Sequence, residues 1–478
     1  MNFMSKRTLS MSIAFLIIIL SKVMTPFAGL SESGLFTLGI FAGCLILWMT
    51  ESIDWPSILC IFLVGLLPEI GLKAALITGF GSDTFAFLLF TFLCTHAISK
   101  TPFLKRCAIF FINSPIAKKG PWPFVISFFA SVILIGCFMS PTVLFIIFLP
   151  ILEEVNRVLG LKKGDKIAEM LIIGLAFATS ISAGMTPIAH VFSVMALGFY
   201  ETATGLSIAY ADYMIMAVPV GLLAMAGLLL IFRFVLNPDM SSIKSLDMSS
   251  LNKELDKVTP REIYTISVFA FVVFLWIVTG ISSNETIVYI SSFGSSLPPL
   301  LGVLLLSIPK FDGETPLNFT DAMKNGVPWA SLIMAAGTLV LGSALTSDTI
   351  GIKQLLIDVM NPILLTVSPM VLVLIFVSWT CLQTNLSSNM VTVTVVTNIA
   401  IPILIAANGS VNTAAVVSLI GMMGAYAFAT PPSMPHIAIS AGSGWTTTTS
   451  LLKYGLMFMV ITIILSVLVG YPLGLMFM

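Results

Sequence analysis

Two stretches of the sequence gather small hydroxyl and amide side chains beside proline within otherwise apolar surroundings. The first holds Ser140, Pro141 and Thr142, followed by Ser182, Thr186, Pro187, Ala189 and His190. The second holds Thr384, Ser387, Ser388, Asn389 and Met390, followed by Pro435 and His436. Hydroxyls and amides donate and accept hydrogen bonds, and an imidazole can donate or carry a positive charge. A helix interrupted by proline adds unpaired N–H groups at a positive dipole end. Together these groups suit a small carboxylate-bearing anion. The six cysteines show no CxxC or CxxH spacing, which reads as packing and not as a disulfide frame or metal site. Neither HExxH nor a Ser-His-Asp constellation falls at the same depth, so no enzyme chemistry, metal or cofactor is expected.

The elements that position these residues follow from composition. Of 478 residues, 58% are hydrophobic and 9% charged, and the mean hydropathy is +1.06. A soluble protein needs about three times that charge, so the chain is an integral membrane protein whose first partner is the lipid bilayer. The 22 basic and 22 acidic residues cancel without long runs of either sign, which excludes nucleic acid as a partner. Roughly 20 apolar residues cross the hydrocarbon core as a helix. That ruler predicts eleven spans: 11–29, 34–50, 55–68, 82–99, 167–185, 213–236, 262–281, 287–308, 328–347, 412–429 and 453–476. The stretches 122–152 and 366–406 are too long for one crossing and break midway at small polar residues. Both are expected to be re-entrant hairpins. The basic start and apolar run of Met1–Gly29 fit a first transmembrane helix better than a cleaved leader, because ten more spans follow.

With the N-terminus in the cytoplasm, eleven crossings leave only Lys22, Lys73 and Lys353 of the 22 Lys and Arg outside. That fulfils the positive-inside rule and puts the C-terminus outside a multi-pass protein of the plasma membrane. It also requires the first hairpin to open from the cytoplasm and the second from outside. None of the carboxylates falls near the centre of a span; Asp83, Glu153, Glu201 and Asp358 sit at ends. A cation transporter or proton pump usually keeps an acid at mid-membrane.

The signals recur at matched distances. Ser140 and Ser388 are 248 residues apart, and His190 and His436 are 246 apart. Opposite hairpin openings make the repeats inverted, with both tips near the midplane, a transporter pattern. A proline that merely kinks a helix is common, but two at matched spacing favour a built site. His190 and His436 either face the ligand or donate to carbonyls freed by the breaks. His96 has no counterpart in the other half and reads as structural.

The hairpin tips, the proline stretches, Trp329-Ala330 after Lys324–Pro328, Ala425–Ala429, Gly442–Gly444 and the segment from His96 to Arg106 resemble the divalent anion:sodium symporter family, the INDY-type dicarboxylate transporters. The resemblance implies an all-α fold with a scaffold and an elevator-type transport domain, and a homodimer. It divides the chain into N-terminal scaffold helices (1–100), a first transport half with tip 140–142 and broken helix 186–193 (101–212), a connecting helix (213–236) and a cytoplasmic linker (237–261). Second scaffold helices (262–347) and a second transport half with tip 387–390 and broken helix 430–440 (348–478) complete it. It further implies that Ser140, Pro141, Thr142, Thr186, Ala189, His190, Ser388, Asn389, Met390, Pro435 and His436 bind substrate. Pro141 stands where the family's first signature has asparagine, and Met390 where its second has threonine. These departures resemble the sodium-independent branch, which exchanges C4–C5 dicarboxylates such as succinate, malate, fumarate and 2-oxoglutarate. A sodium-coupled dicarboxylate or tricarboxylate symporter on the same fold is the alternative.

Overall fold

Apolar segments that satisfy their own backbone groups must be helical in a bilayer, and helices occupy every expected span. The computed structural model describes residues 3–26, 29–240, 257–281, 284–352, 354–355, 358, 367–407 and 409–478. Residues 241–256, most of the expected cytoplasmic linker, lie outside the described residues. Among the described residues the only strand-like pairing is a bridge between Phe311 and Glu314. Eight helices are long and apolar enough to cross a membrane, or nine if Phe319–Gly326 and Trp329–Leu345, bent by 72°, form one span. The expected count was eleven; two of the eight, Pro369–Leu386 and Asn389–Ala406, are instead the arms of the second expected hairpin, each long enough to cross, and several expected spans are built from shorter pieces. The stretch 287–308, for example, splits into Glu285–Ser291 and Leu297–Ser307. Between them Gly294 adopts a φ of 93°, and the Asp83 carboxylate accepts the N–H groups of Ser295 (2.8 Å) and Ser296 (3.1 Å).

In chain order the helices are α1 Phe3–Val23, α2 Glu32–Thr50, α3 Trp55–Gly65, α4 Leu72–Phe80, α5 Asp83–Ser99 and α6 Phe103–Ile112. The first hairpin is α7 Pro121–Gly136 and α8 Pro141–Val158, followed by α9 Lys166–Met185 and α10 Val191–Thr204. Then come α11 Tyr210–Leu236, α12 Pro260–Ile281, α13 Glu285–Ser291 and α14 Leu297–Ser307. The bent pair is α15 Phe319–Gly326 and α16 Trp329–Leu345. The second hairpin is α17 Pro369–Leu386 and α18 Asn389–Ala406, followed by α19 Thr413–Gly424, α20 Pro435–Gly442 and α21 Thr448–Phe477.

Proline sets the breaks. Thr186 precedes Pro187 and is extended (φ −135°, ψ 150°), ending α9; Thr430 before Pro431 and Met434 before Pro435 are extended likewise. A residue before proline is pushed out of the helical region by the ring. The breaks therefore run from Thr186 to His190 and from Ala425 to Met434, and the hairpin tips are Cys137–Ser140 and Ser387–Ser388. In the first hairpin α8 returns to pack against α6, which precedes α7, so the chain has turned back at the tip.

The two halves interlock reciprocally. Helix α10 packs on α18 and α19 of the second half, and α20 packs on α8 and α9 of the first. This mirrored exchange is what pseudo-two-fold repeats produce. The helices at the crossing are the most enclosed: α9 is 94% buried and α18 89%, against 33% for the span in α12.

Two polar clusters fasten the edges. Arg106 on α6 pairs with Glu262 on α12 at 3.0 Å, the carboxylate being 2% exposed. His96, expected to be structural, lies 3.0 Å from Asp321 on α15, whose other oxygen accepts from Asn325 at 2.6 Å.

Candidate functional site

At the second tip, side-chain amides hold the broken helix. Asn385, one turn before the tip, donates from Nδ2 to the carbonyls of Cys381 (2.8 Å) and Tyr426 (2.9 Å). Its Oδ1 accepts the N–H groups of Phe428 (2.6 Å) and Ala429 (2.8 Å). The amide thus fills all four of its bonding directions with main-chain groups, three of which, at Tyr426, Phe428 and Ala429, lie in the break where helical partners are missing. Thr384 Oγ1 (2.9 Å) and Asn389 Nδ2 (3.0 Å) both donate to the Gly424 carbonyl. Thr430 Oγ1 closes the set on the Asn385 carbonyl.

The first tip is held differently. Thr186 Oγ1 donates to the Cys137 carbonyl, and Gly136 lets the tip press against α9. A Cβ at Gly136 would lie 2.1 Å from Ser182 Oγ and 2.7 Å from Leu144 Cδ2. On the far side of the break Tyr213 donates to the Gly184 carbonyl (2.6 Å) and accepts from Ser193 (2.8 Å).

Both hairpins re-enter helix through a serine that does not cap it. Ser140 precedes α8 and Ser388 precedes α18, and neither hydroxyl bonds to its helix. An N-terminal serine ordinarily spends its oxygen on the first turn. Here the first-turn donors, Thr142 and Val143 in α8 and Asn389, Met390 and Val391 in α18, keep their N–H groups unpaired within the helix. Pro141 supplies none. The Thr142 hydroxyl also has no partner among the described residues. Helix N-termini with unspent N–H groups and hydroxyls beside them are therefore present at both tips.

The histidines differ. Ser180 in α9 gives its hydrogen to the Ala427 carbonyl (2.7 Å), so it accepts from His436 Nε2 at 2.8 Å. His436 is fully buried, and its Nδ1 has no partner. It stands 6.0 Å from the Phe145 ring of α8, so the second half's imidazole is packed into the first half. His190 Nδ1 accepts the Val191 N–H at 2.9 Å, which leaves its proton on Nε2, and its ring stacks on Phe192 at 3.8 Å.

Of the other expected residues, Pro141, Thr186, Ala189, Asn389 and Met390 are buried, Ser140, Thr142 and Ser388 are half-buried, and Pro435 is exposed. Asn389 Oδ1, Tyr426 OH and His436 Nδ1 are among the buried atoms without a hydrogen-bond partner. Tyr426 packs on α9 where a Cβ at Gly184 would lie 2.7 Å from its ring. Asn385, Ser180 and Tyr426 were not singled out in the sequence. A polar residue inside an apolar helix was the available signal for the first two.

The sequence matches the family described as sodium:sulfate symporter transmembrane region over residues 5–478. The chain belongs to that family. Like its other members it is a membrane transporter and not an enzyme. Among curated relatives, the sodium-dependent dicarboxylate transporter SdcS of Staphylococcus saprophyticus is 25% identical over 467 residues, covering 92% of this chain and 86% of that one. SdcS of Staphylococcus aureus strain USA300 is 23% identical over 455 residues, covering 92% and 85%. The crystal structure of the Alcanivorax borkumensis YdaH transporter is similar in fold, with a TM-score of 0.57 at 14% identity over 93% of this chain and 99% of that one.

Proposed function

We propose that this symporter-family chain exchanges C4–C5 dicarboxylates, such as succinate, malate, fumarate and 2-oxoglutarate, one dianion at a time. The observation that carries the reading is the pair of non-capping serines: each hairpin presents a helix N-terminus with free N–H groups and hydroxyls, one for each carboxylate. Thr142 and Asn389 frame the two ends, and His190 adds a donor from Nε2. His436 fixes the broken helix through Ser180. The names of the curated relatives support a dicarboxylate as the substrate class.

The motion is an elevator in which the hairpins and broken helices move against the scaffold α1–α5 and α12–α16, with α11 connecting them, within a homodimer whose N-terminus is cytoplasmic. Exchange runs without sodium. A hard cation needs several oxygens to replace its water shell, and Pro141 and Gly136 bring no side-chain oxygen to the first tip. A second reading, sodium-coupled uptake, is favoured by the buried, unpaired Asn389 Oδ1, a ready cation ligand at the second tip, and by the name of SdcS.

Uptake of radiolabelled succinate into proteoliposomes separates these readings. Exchange predicts acceleration by internal succinate and full rate in choline medium. Strict dependence on a sodium gradient would establish the second reading, and saturation by neither a channel.

A further inference from the structure

A cavity of about 580 Å³ lies between α7 and α11, away from the first tip's polar face, and is walled by Ile126, Ile133, Leu222, Met225 and Leu229. Its rim is exposed, with Ile126 at 47% and Leu222 at 55%, so it opens on the surface that meets lipid. Phe129 of α7 lines it, with its ring centroid 6.2 Å from that of Phe232 of α11. The inner end reaches Cys137, Met185 and Thr186, the back of the first tip and of its broken helix.

The other end is basic and aromatic. One turn beyond Ile126 stands Trp122, and one turn beyond Leu229 stands Arg233, whose guanidinium lies 5.5 Å from the Trp122 ring. Lys118 and Lys119 immediately precede α7 and are exposed, as is Arg233. None of these three cations is paired with a carboxylate among the described residues. From Ile126 to Cys137, α7 rises roughly 16 Å, about half of a 30 Å hydrocarbon core. The length is that of a single leaflet.

We propose that this groove is a binding site for one anionic phospholipid. An acyl chain fills the apolar cavity as far as Cys137, and the phosphate sits among Arg233, Lys118, Lys119 and the indole N–H of Trp122. Basic residues at the mouth of an inter-helix groove give anionic headgroups an advantage over zwitterionic ones, and tryptophan prefers the headgroup level. The lipid would buttress the first tip from behind, where the Cys137 carbonyl already takes the Thr186 hydroxyl.

The test is native mass spectrometry of the full-length protein equilibrated with phosphatidylglycerol or with phosphatidylcholine of the same chains. Wild type should retain phosphatidylglycerol about tenfold better or more, since each basic group near the surface favours an anionic lipid. The triple variant Lys118→Gln, Lys119→Gln, Arg233→Gln should lose that preference while keeping a lipid of either kind. Ala226→Trp, which fills the cavity from its exposed rim, should lose both. Equal retention of the two lipids by wild type, or undiminished retention in Ala226→Trp, overturns the proposal. So does efficient disulfide formation between copies carrying Leu222→Cys, which would give the groove to a second copy of the chain.

Discussion

The two hairpin tips follow one backbone plan and are fastened in opposite ways. Thr384, Asn385 and Asn389 stand in the second hairpin where Gly136, Cys137 and Pro141 stand in the first, each pair 248 residues apart. The second set donates to or accepts from Gly424, Tyr426, Phe428 and Ala429. The first set has no side-chain amide or hydroxyl, and relies on close contact with Ser182 and on Thr186 reaching across to Cys137. A repeat can thus keep its shape while one copy exchanges polar stitching for packing. What the two tips share is main chain, the free N–H groups that begin α8 and α18.

The contrast is broken most severely at Asn385. Asn385→Ala leaves two buried N–H groups and a carbonyl unpaired, at a cost of roughly 2–6 kcal/mol. Its thermal unfolding midpoint in detergent should fall sharply. Cys137→Ala at the matching position removes only a small hydrophobe and should shift the midpoint little. Equal shifts in the two variants would erase the distinction between the tips.

The shared feature is tested next. On the proposed reading, Thr142→Ala and Asn389→Ala each remove a donor to a substrate carboxylate, worth roughly 1.5–3 kcal/mol, so apparent affinity for succinate should weaken tenfold or more with expression intact. Wild-type affinity in both variants would remove the cradle from the substrate's path.

Packing at the first tip predicts a smaller effect. Gly136→Ala forces its new methyl into Ser182 and Leu144 and should cost about 1–3 kcal/mol. Ser182→Gly in the same chain should restore most of that stability, whereas the rescue should fail if Gly136 matters only for backbone freedom. Smallest of all is the effect of giving the first tip an amide. Pro141→Asn supplies the oxygen that the second tip has in Asn389, and exchange in that variant should acquire a modest stimulation by sodium over choline that wild type lacks.

The sequence carried the plan of this molecule well where proline and local composition set it. The residue before each proline is extended at Thr186, Thr430 and Met434; the first break, 186–190, lies inside the expected 186–193, whereas the second starts at Ala425, ahead of the expected 430–440, and helix resumes at Pro435. Boundaries shifted by a few residues because a helix begins at the first residue after the serine, at Pro141 and Asn389. The span count was less legible. Trp55–Gly65, Leu297–Ser307 and Thr413–Gly424 are apolar enough to look like crossings but are short, and their lengths depend on partners such as Asp83 that lie far away in the chain. Least legible was the second tip's fastening. Asn385 looks like any polar residue near a helix end until the Tyr426–Ala429 main chain is folded back beside it. Nor did apolar composition separate α9, enclosed by protein, from α12, which faces outward.

The interlock of the halves also sets a timetable for making the protein. Ser180 needs Ala427 and His436, which lie 247 and 256 residues downstream. At about 5–20 residues per second, a ribosome supplies those partners roughly 12–50 s after Ser180 itself. For most of that interval the first hairpin and its broken helix are already synthesised, with the partner carbonyl and imidazole still unmade. Nascent chains halted before α20 should therefore be the species most dependent on membrane insertion chaperones and most open to membrane proteases.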